Sequence, residues 1–167
     1  GGDTHDGFAS SDRTLEELES CDFKPFEAAI EADAPMIMVG HMTMTAIDPD
    51  NPASLSEPIV TGLLRDELGY DGIIITDALN MGAISENYTN ADAAVKAVSA
   101  GCDMLLCVSN ISSVVDALTE AARSLEHVLV IQRQKDRLHV ETNFLMFFDG
   151  HDDYPFPCSA ALSPVPC

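Results

Sequence analysis

The chain has 167 residues, 46% of them hydrophobic and 22% charged, which is enough for one buried core. Its 28 acidic and 8 basic residues give a net charge of −20, which repels nucleic acid and anionic membranes and favours a neutral or cationic ligand. No run approaches the ~18 apolar residues of a membrane span. The five cysteines form no CxxC pair, so neither a metal, a cofactor nor a redox role is expected.

The opening Gly1-Gly2-Asp3-Thr4-His5 lacks an initiator methionine and reads as the interior of a longer polypeptide. Residues 1–13 are rich in Gly, Asp and Ser and predict a loop. Ser11 or Asp12 is placed to cap a helix through Leu15–Leu18, and Pro25 opens a second helix with Phe26, Ala29 and Ile30 on one face. Met36–Gly40 predicts a short buried strand ending at His41, followed by a polar loop from Thr43 to Ser54. Ser54 and Glu57 have capping-box spacing ahead of a helix with Ile59, Leu63, Leu64 and Leu68 on its apolar face, stopped by Gly69.

Gly72 then opens a β-branched run, Ile73-Ile74-Ile75-Thr76, that stops on Asp77. Such a run suits a strand buried on both faces, as in a parallel sheet. Asp77 falls at the carboxyl edge of that sheet, where β/α folds place their chemistry. Thr89 or Asn90 starts an alanine-rich helix that Gly101 ends. Asp103–Val108 predicts a third buried strand, with Cys102 and Cys107 as buried thiols, and Ser109 or Asn110 caps a last helix carrying Val114, Val115, Leu118 and Ala122. Three successive strand–helix units predict an α/β fold with a parallel sheet, each strand ending in a polar residue at one edge: His41, Asp77 and Ser109.

From Leu125 the pattern changes. Val128–Ile131 has strand character, Phe144–Phe148 is apolar, and His151 onward is turn-rich, so no βα unit is expected in 125–167. His151-Asp152-Asp153 is read as a solvated loop rather than a metal site.

Pro52–Ser56, Leu64–Gly72, Ile74–Met81 and Ala100–Leu106, in that order, resemble glycoside hydrolase family 3, specifically its bacterial β-N-acetylhexosaminidase branch. The resemblance runs over residues 1–124 and implies the C-terminal part of a (β/α)8 TIM barrel, incomplete at about three parallel βα units. A closed barrel takes ~250 residues. The resemblance also implies a carbohydrate substrate, β-linked N-acetylglucosamine in cell-wall or chitin-type oligosaccharides. Asp77 matches the nucleophile of a retaining mechanism. His5 matches the acid/base and Asp3, in Asp3-Thr4-His5, the carboxylate that orients it. His41 and Met81 are candidates for the wall of the sugar pocket. The chain alone is expected to be inactive.

Three other readings stand beside this one: a non-catalytic remnant of such a barrel, a β-glucosidase of the same family, and a phosphorylase with phosphate as acceptor. A signalling receiver domain would also present an aspartate at a strand end. It needs an acidic pair after an early strand and a lysine after a late one, and His41 and Ser109-Asn110 occupy those places.

Overall fold

The computed structural model describes residues 9–123. The expectations for Asp3, His5 and residues 125–167 therefore lie outside the described residues.

A two-residue strand, β1 (Ser10–Ser11), leads into the short helix α1 (Leu15–Glu17). Its cap is Thr14, not Ser11 or Asp12: the Thr14 Oγ1 accepts the Glu17 N–H, while the Glu17 carboxylate accepts the Thr14 N–H at 2.9 Å. The helix continues through Leu18–Asp22 as a looser turn, with the Phe23 N–H reaching back to the Leu18 carbonyl at 2.9 Å. Then α2 (Lys24–Glu31) follows, with Pro25 in its first turn, where a missing N–H costs nothing.

Strand β2 (Met36–Val39) leads to a short β3 (Thr43–Met44), which pairs in parallel with β1. After the single turn Ala53–Leu55, the Pro58–Glu67 helix is wound with i→i+5 bonds, Leu68 N–H to Leu63 O at 2.8 Å. Gly69, at φ +69°, ends it in the left-handed conformation that glycine adopts without strain. Strand β4 (Ile73–Ala78) is followed by α3 (Gly82–Ser85) and α4 (Asn90–Ala100). Thr89 caps α4 by accepting the Asp92 N–H, and Gly101 terminates it at φ +112°. Strand β5 (Met104–Leu106) and helix α5 (Ile111–Arg123) complete the described chain.

The main sheet has the order β2-β4-β5, all parallel. Ile37 lies beside Ile74, and Val39 beside Thr76. This side is covered by the Pro58–Glu67 helix and α4: Ile37, Val39 and Ile74 form one core with Val60, Leu64, Ala93, Ala97 and Cys102. Each fully buried aliphatic side chain there contributes about 1.5–3 kcal/mol. The alanines of α4 let that helix approach closely enough for the Thr61 hydroxyl to donate to the Ala100 carbonyl at 2.7 Å.

The other side is different. Met38 lies beside Ile75, and Ile75 beside Met104, yet Met36, Met38 and Met104 are 43%, 49% and 41% exposed. Only β4 is buried on both sides, so β2 and β5 depart from the buried strands expected. The reason is positional: β4 has a strand on each flank, whereas β2 and β5 are the edges of the three-stranded sheet. Cys102 is buried as expected, and burial pushes its thiol up to about 12. Cys107 is exposed: β5 stops at Leu106, and Cys107 takes the turn at φ +51°.

Candidate active site

The site is built on the end of β4. Two-residue alternation puts Asp77 on the side of Ile73 and Ile75, the side the helices leave open, where it is half-buried. The Asp77 Oδ1 accepts the N–H of Ala78 at 2.7 Å, which sets the carboxylate against its own backbone. A bulge between Ile75 and Ala78 in the pairing with β5 turns the strand end at this point. There the Leu106 N–H donates to the Thr76 hydroxyl at 3.1 Å and the Leu79 N–H to the Leu106 carbonyl at 3.0 Å. The carboxylate therefore projects from a strand end fixed to Leu106 through the Thr76 hydroxyl before it and the Leu79 N–H after it.

Met81 is buried at the start of α3, and its N–H closes a turn onto the Ala78 carbonyl at 3.1 Å. It stands four residues past Asp77, at the end of the 78–81 turn.

His41 lies elsewhere. Alternation continues it on the side of Ile37 and Val39, under the helices, and it is 1% exposed. Its Nδ1 is 2.7 Å from the Ser54 hydroxyl and its Nε2 is 3.0 Å from the Ala78 carbonyl. With both ring nitrogens engaged, His41 offers none to a sugar. It braces the sheet edge from behind.

Ser54 is likewise not the helix cap expected from its spacing to Glu57. It is fully buried against His41, and the Ile59 N–H is met instead by the Ser56 hydroxyl at 3.4 Å. The cap pattern is local and cannot register an acceptor thirteen residues away. A buried histidine after a strand was the available signal, since such a ring needs a partner on each nitrogen.

Two clefts lie apart from this carboxylate. One of about 420 Å³ runs beside β2 between Phe23, Met38, Met42 and Leu63, and one of about 520 Å³ lies between Asp48, Asn51, Glu57, Lys96 and Ser99. Neither includes Asp77 or Met81 in its wall. Among the described residues no three His, Cys, Asp or Glu side chains gather as a metal site, and no helix is long and apolar enough to cross a membrane.

Three parallel strands backed by helices, with a carboxylate at the C-terminal edge of the sheet, define the class: a parallel α/β fold. The family model described as the glycosyl hydrolase family 3 N terminal domain matches residues 1–139, and the chain belongs to that family.

A β-hexosaminidase of Chromobacterium violaceum is 37% identical over 120 residues, covering 72% of this chain and 33% of the relative. One of Nitrosomonas eutropha is 36% identical over 117 residues, covering 70% and 33%. Among solved structures, a glycoside hydrolase family 3 β-N-acetylglucosaminidase from Paenibacillus sp. str. FPU-7 superposes with a TM-score of 0.71 at 31% identity, covering 98% of this chain and 32% of the other. The chain thus spans about a third of the length of these relatives.

Proposed function

We propose that this chain carries the nucleophile of a retaining glycoside hydrolase that releases β-linked N-acetylglucosamine from cell-wall or chitin-type oligosaccharides. The observation that carries the reading is Asp77, a half-buried carboxylate at the end of the central strand between Thr76 and Leu79, both bonded to Leu106. The names of the relatives supply the sugar, and the acidic chain favours a neutral ligand over nucleic acid.

In the reaction so read, the Asp77 carboxylate attacks the anomeric carbon and forms a glycosyl ester. His5, as imidazolium, gives its proton to the departing oxygen. His5 then takes a proton from water, the hydroxide attacks the same carbon, and Asp77 leaves as carboxylate. Two inversions give net retention. Asp3, two residues before His5, holds the ring and favours its charged form.

The three βα units stand as the C-terminal part of a barrel in this reading, and the exposed Met36, Met38 and Met104 belong to a wall that further strands would cover. The 167-residue chain on its own is therefore proposed to be inactive. The positioning that a closed pocket gives a nucleophile is worth up to ~7–11 kcal/mol.

The test uses the complete enzyme that contains this chain and a 5-fluoro N-acetylglucosaminyl fluoride, which keeps the 2-acetamido group and stalls the ester. A label on the Asp77 peptide supports the assignment, and a label on any other residue rules it out. Turnover of an aryl N-acetyl-β-glucosaminide by the isolated chain, abolished by Asp77→Ala, would overturn the proposal that it is inactive.

A further inference from the structure

His41 is joined to Asp77 through a single residue, Ala78. The N–H of Ala78 donates to the Asp77 carboxylate, and its carbonyl accepts from the His41 ring. A carbonyl only accepts, so Nε2 of His41 carries the proton in that bond, and in a neutral ring Nδ1 then accepts from the Ser54 hydroxyl. Ser54 is itself fixed: its N–H donates to the Gly40 carbonyl at 3.1 Å, and its carbonyl accepts from the Cys102 thiol at 3.6 Å. A chain of hydrogen bonds thus runs from the 52–55 turn through His41 to the carbonyl of Ala78, the residue whose N–H meets the Asp77 carboxylate.

We infer that His41 is a positioning residue for Asp77, acting through the Ala78 carbonyl, with Ser54 fixing the plane and tautomer of its ring. The inference rests on Asp77 being the nucleophile. Burial alone asks for a partner on each ring nitrogen; what singles out His41 is that the partner of Nε2 is the carbonyl of the residue that follows Asp77. The Ala78 carbonyl also accepts from the Met81 N–H, and the Leu79 N–H of the same peptide donates to Leu106, so losing His41 leaves the turn intact and removes one of three restraints on the backbone beside Asp77. The effect therefore falls on the aim of the carboxylate rather than on the fold.

The variants are chosen to separate aim from volume. His41→Phe keeps the ring and loses both bonds. His41→Gln keeps a donor near the position of Nε2. Ser54→Ala keeps the imidazole and frees it to turn.

All are made in the complete enzyme beside Asp77→Ala, and kcat and KM are measured per folded molecule, with melting temperature as the check on folding. His41→Phe is expected to lower kcat by about 10–100-fold with KM within about threefold, since a small misplacement of a reacting group costs up to ~10²-fold. His41→Gln recovers most of that loss, and Ser54→Ala falls between His41→Phe and the parent.

Parental kcat in folded His41→Phe overturns the inference, as does His41→Gln doing no better than His41→Phe when both are folded. If His41→Phe does not fold, parental kcat in Ser54→Ala together with a His41→Gln loss that follows its melting temperature overturns it instead. An inactive Asp77→Ala beside fully active His41 and Ser54 variants rejects this inference alone. Turnover by Asp77→Ala rejects the nucleophile and the inference with it.

Discussion

The guanidinium of Arg65 and the carboxylate of Asp103 form an ion pair inside the protein, each side chain shut off from solvent. Arg65 also donates to the carbonyls of Tyr70 and Gly72 and lies over the Tyr70 ring, while Asp103 accepts the Ile74 N–H at 2.8 Å. The pair therefore ties the end of the Pro58–Glu67 helix to the beginnings of β4 and β5.

Removing one partner strands the other charge in the interior. Asp103→Ala is expected to cost about 3–5 kcal/mol in urea unfolding, the range for a broken buried pair. Asp103→Asn, which keeps an acceptor for the Ile74 N–H, is expected to cost less. Equal losses for the two would mean that the charge contributes nothing.

Asp48 gives a pH signature. Burial alone would raise its carboxyl, but hydrogen bonds outweigh that: the Ser56 hydroxyl at 2.7 Å, the Asn51 side chain, and the N–H groups of Asp50 and Asn51. They hold it below its usual value in the folded state. The stabilisation is therefore full above the unfolded pKa of ~3.9 and is lost as pH falls through the lower folded value. Ser56→Ala should lower stability near pH 7 by about 1 kcal/mol, with the difference shrinking once Asp48 is protonated. Unfolding curves from pH 7 down to acid test both parts.

Gly101 is predicted to resist substitution. Its φ of +112° is strained for any L side chain, and an added Cβ would stand 2.4 Å from the Thr61 hydroxyl oxygen. Gly101→Ala should cost about 1–3 kcal/mol. Adding Thr61→Ala removes the clash but not the strain, so only part of the loss should return in thermal unfolding.

His5, as the proposed acid, should matter most when the leaving group needs a proton. In the complete enzyme, His5→Ala is expected to reduce kcat/KM by about 10²–10⁴-fold for substrates with poor leaving groups, and far less for activated aryl glycosides. Equal losses on both would leave His5 outside the chemistry.

The parts of this fold legible from sequence are those whose signals are local. The Ile73–Thr76 run gave away β4 because side chains of a strand on each flank shield its middle, Ile74 to Thr76, on both faces. The left-handed stops Gly69 and Gly101, and the Thr89 cap, are also carried by single residues. What sequence could not supply is contact across distance. Ser54 with Glu57 has the spacing of a cap, yet its hydroxyl serves His41. His41 ends a strand at the expected edge, yet faces away from Asp77's side. The Arg65–Asp103 pair joins residues 38 apart in a chain that offers many other carboxylates to an arginine. Met36, Met38 and Met104 count as core by composition, and only the sheet's edges reveal that they are uncovered.

Met38, Ile75 and Met104 stand in one row across the three strands. A slip of β4 by a single residue would reverse every side chain it carries, turning Asp77 in among the helices and Thr76 out in its place. Such a slipped form is barred at both ends of the strand. The Asp103 bond to the Ile74 N–H and the His41 bond to the Ala78 carbonyl would have to break together. His41 and Asp103 thus act as a register lock, and which way the carboxylate faces is decided by a histidine and an aspartate that never meet it.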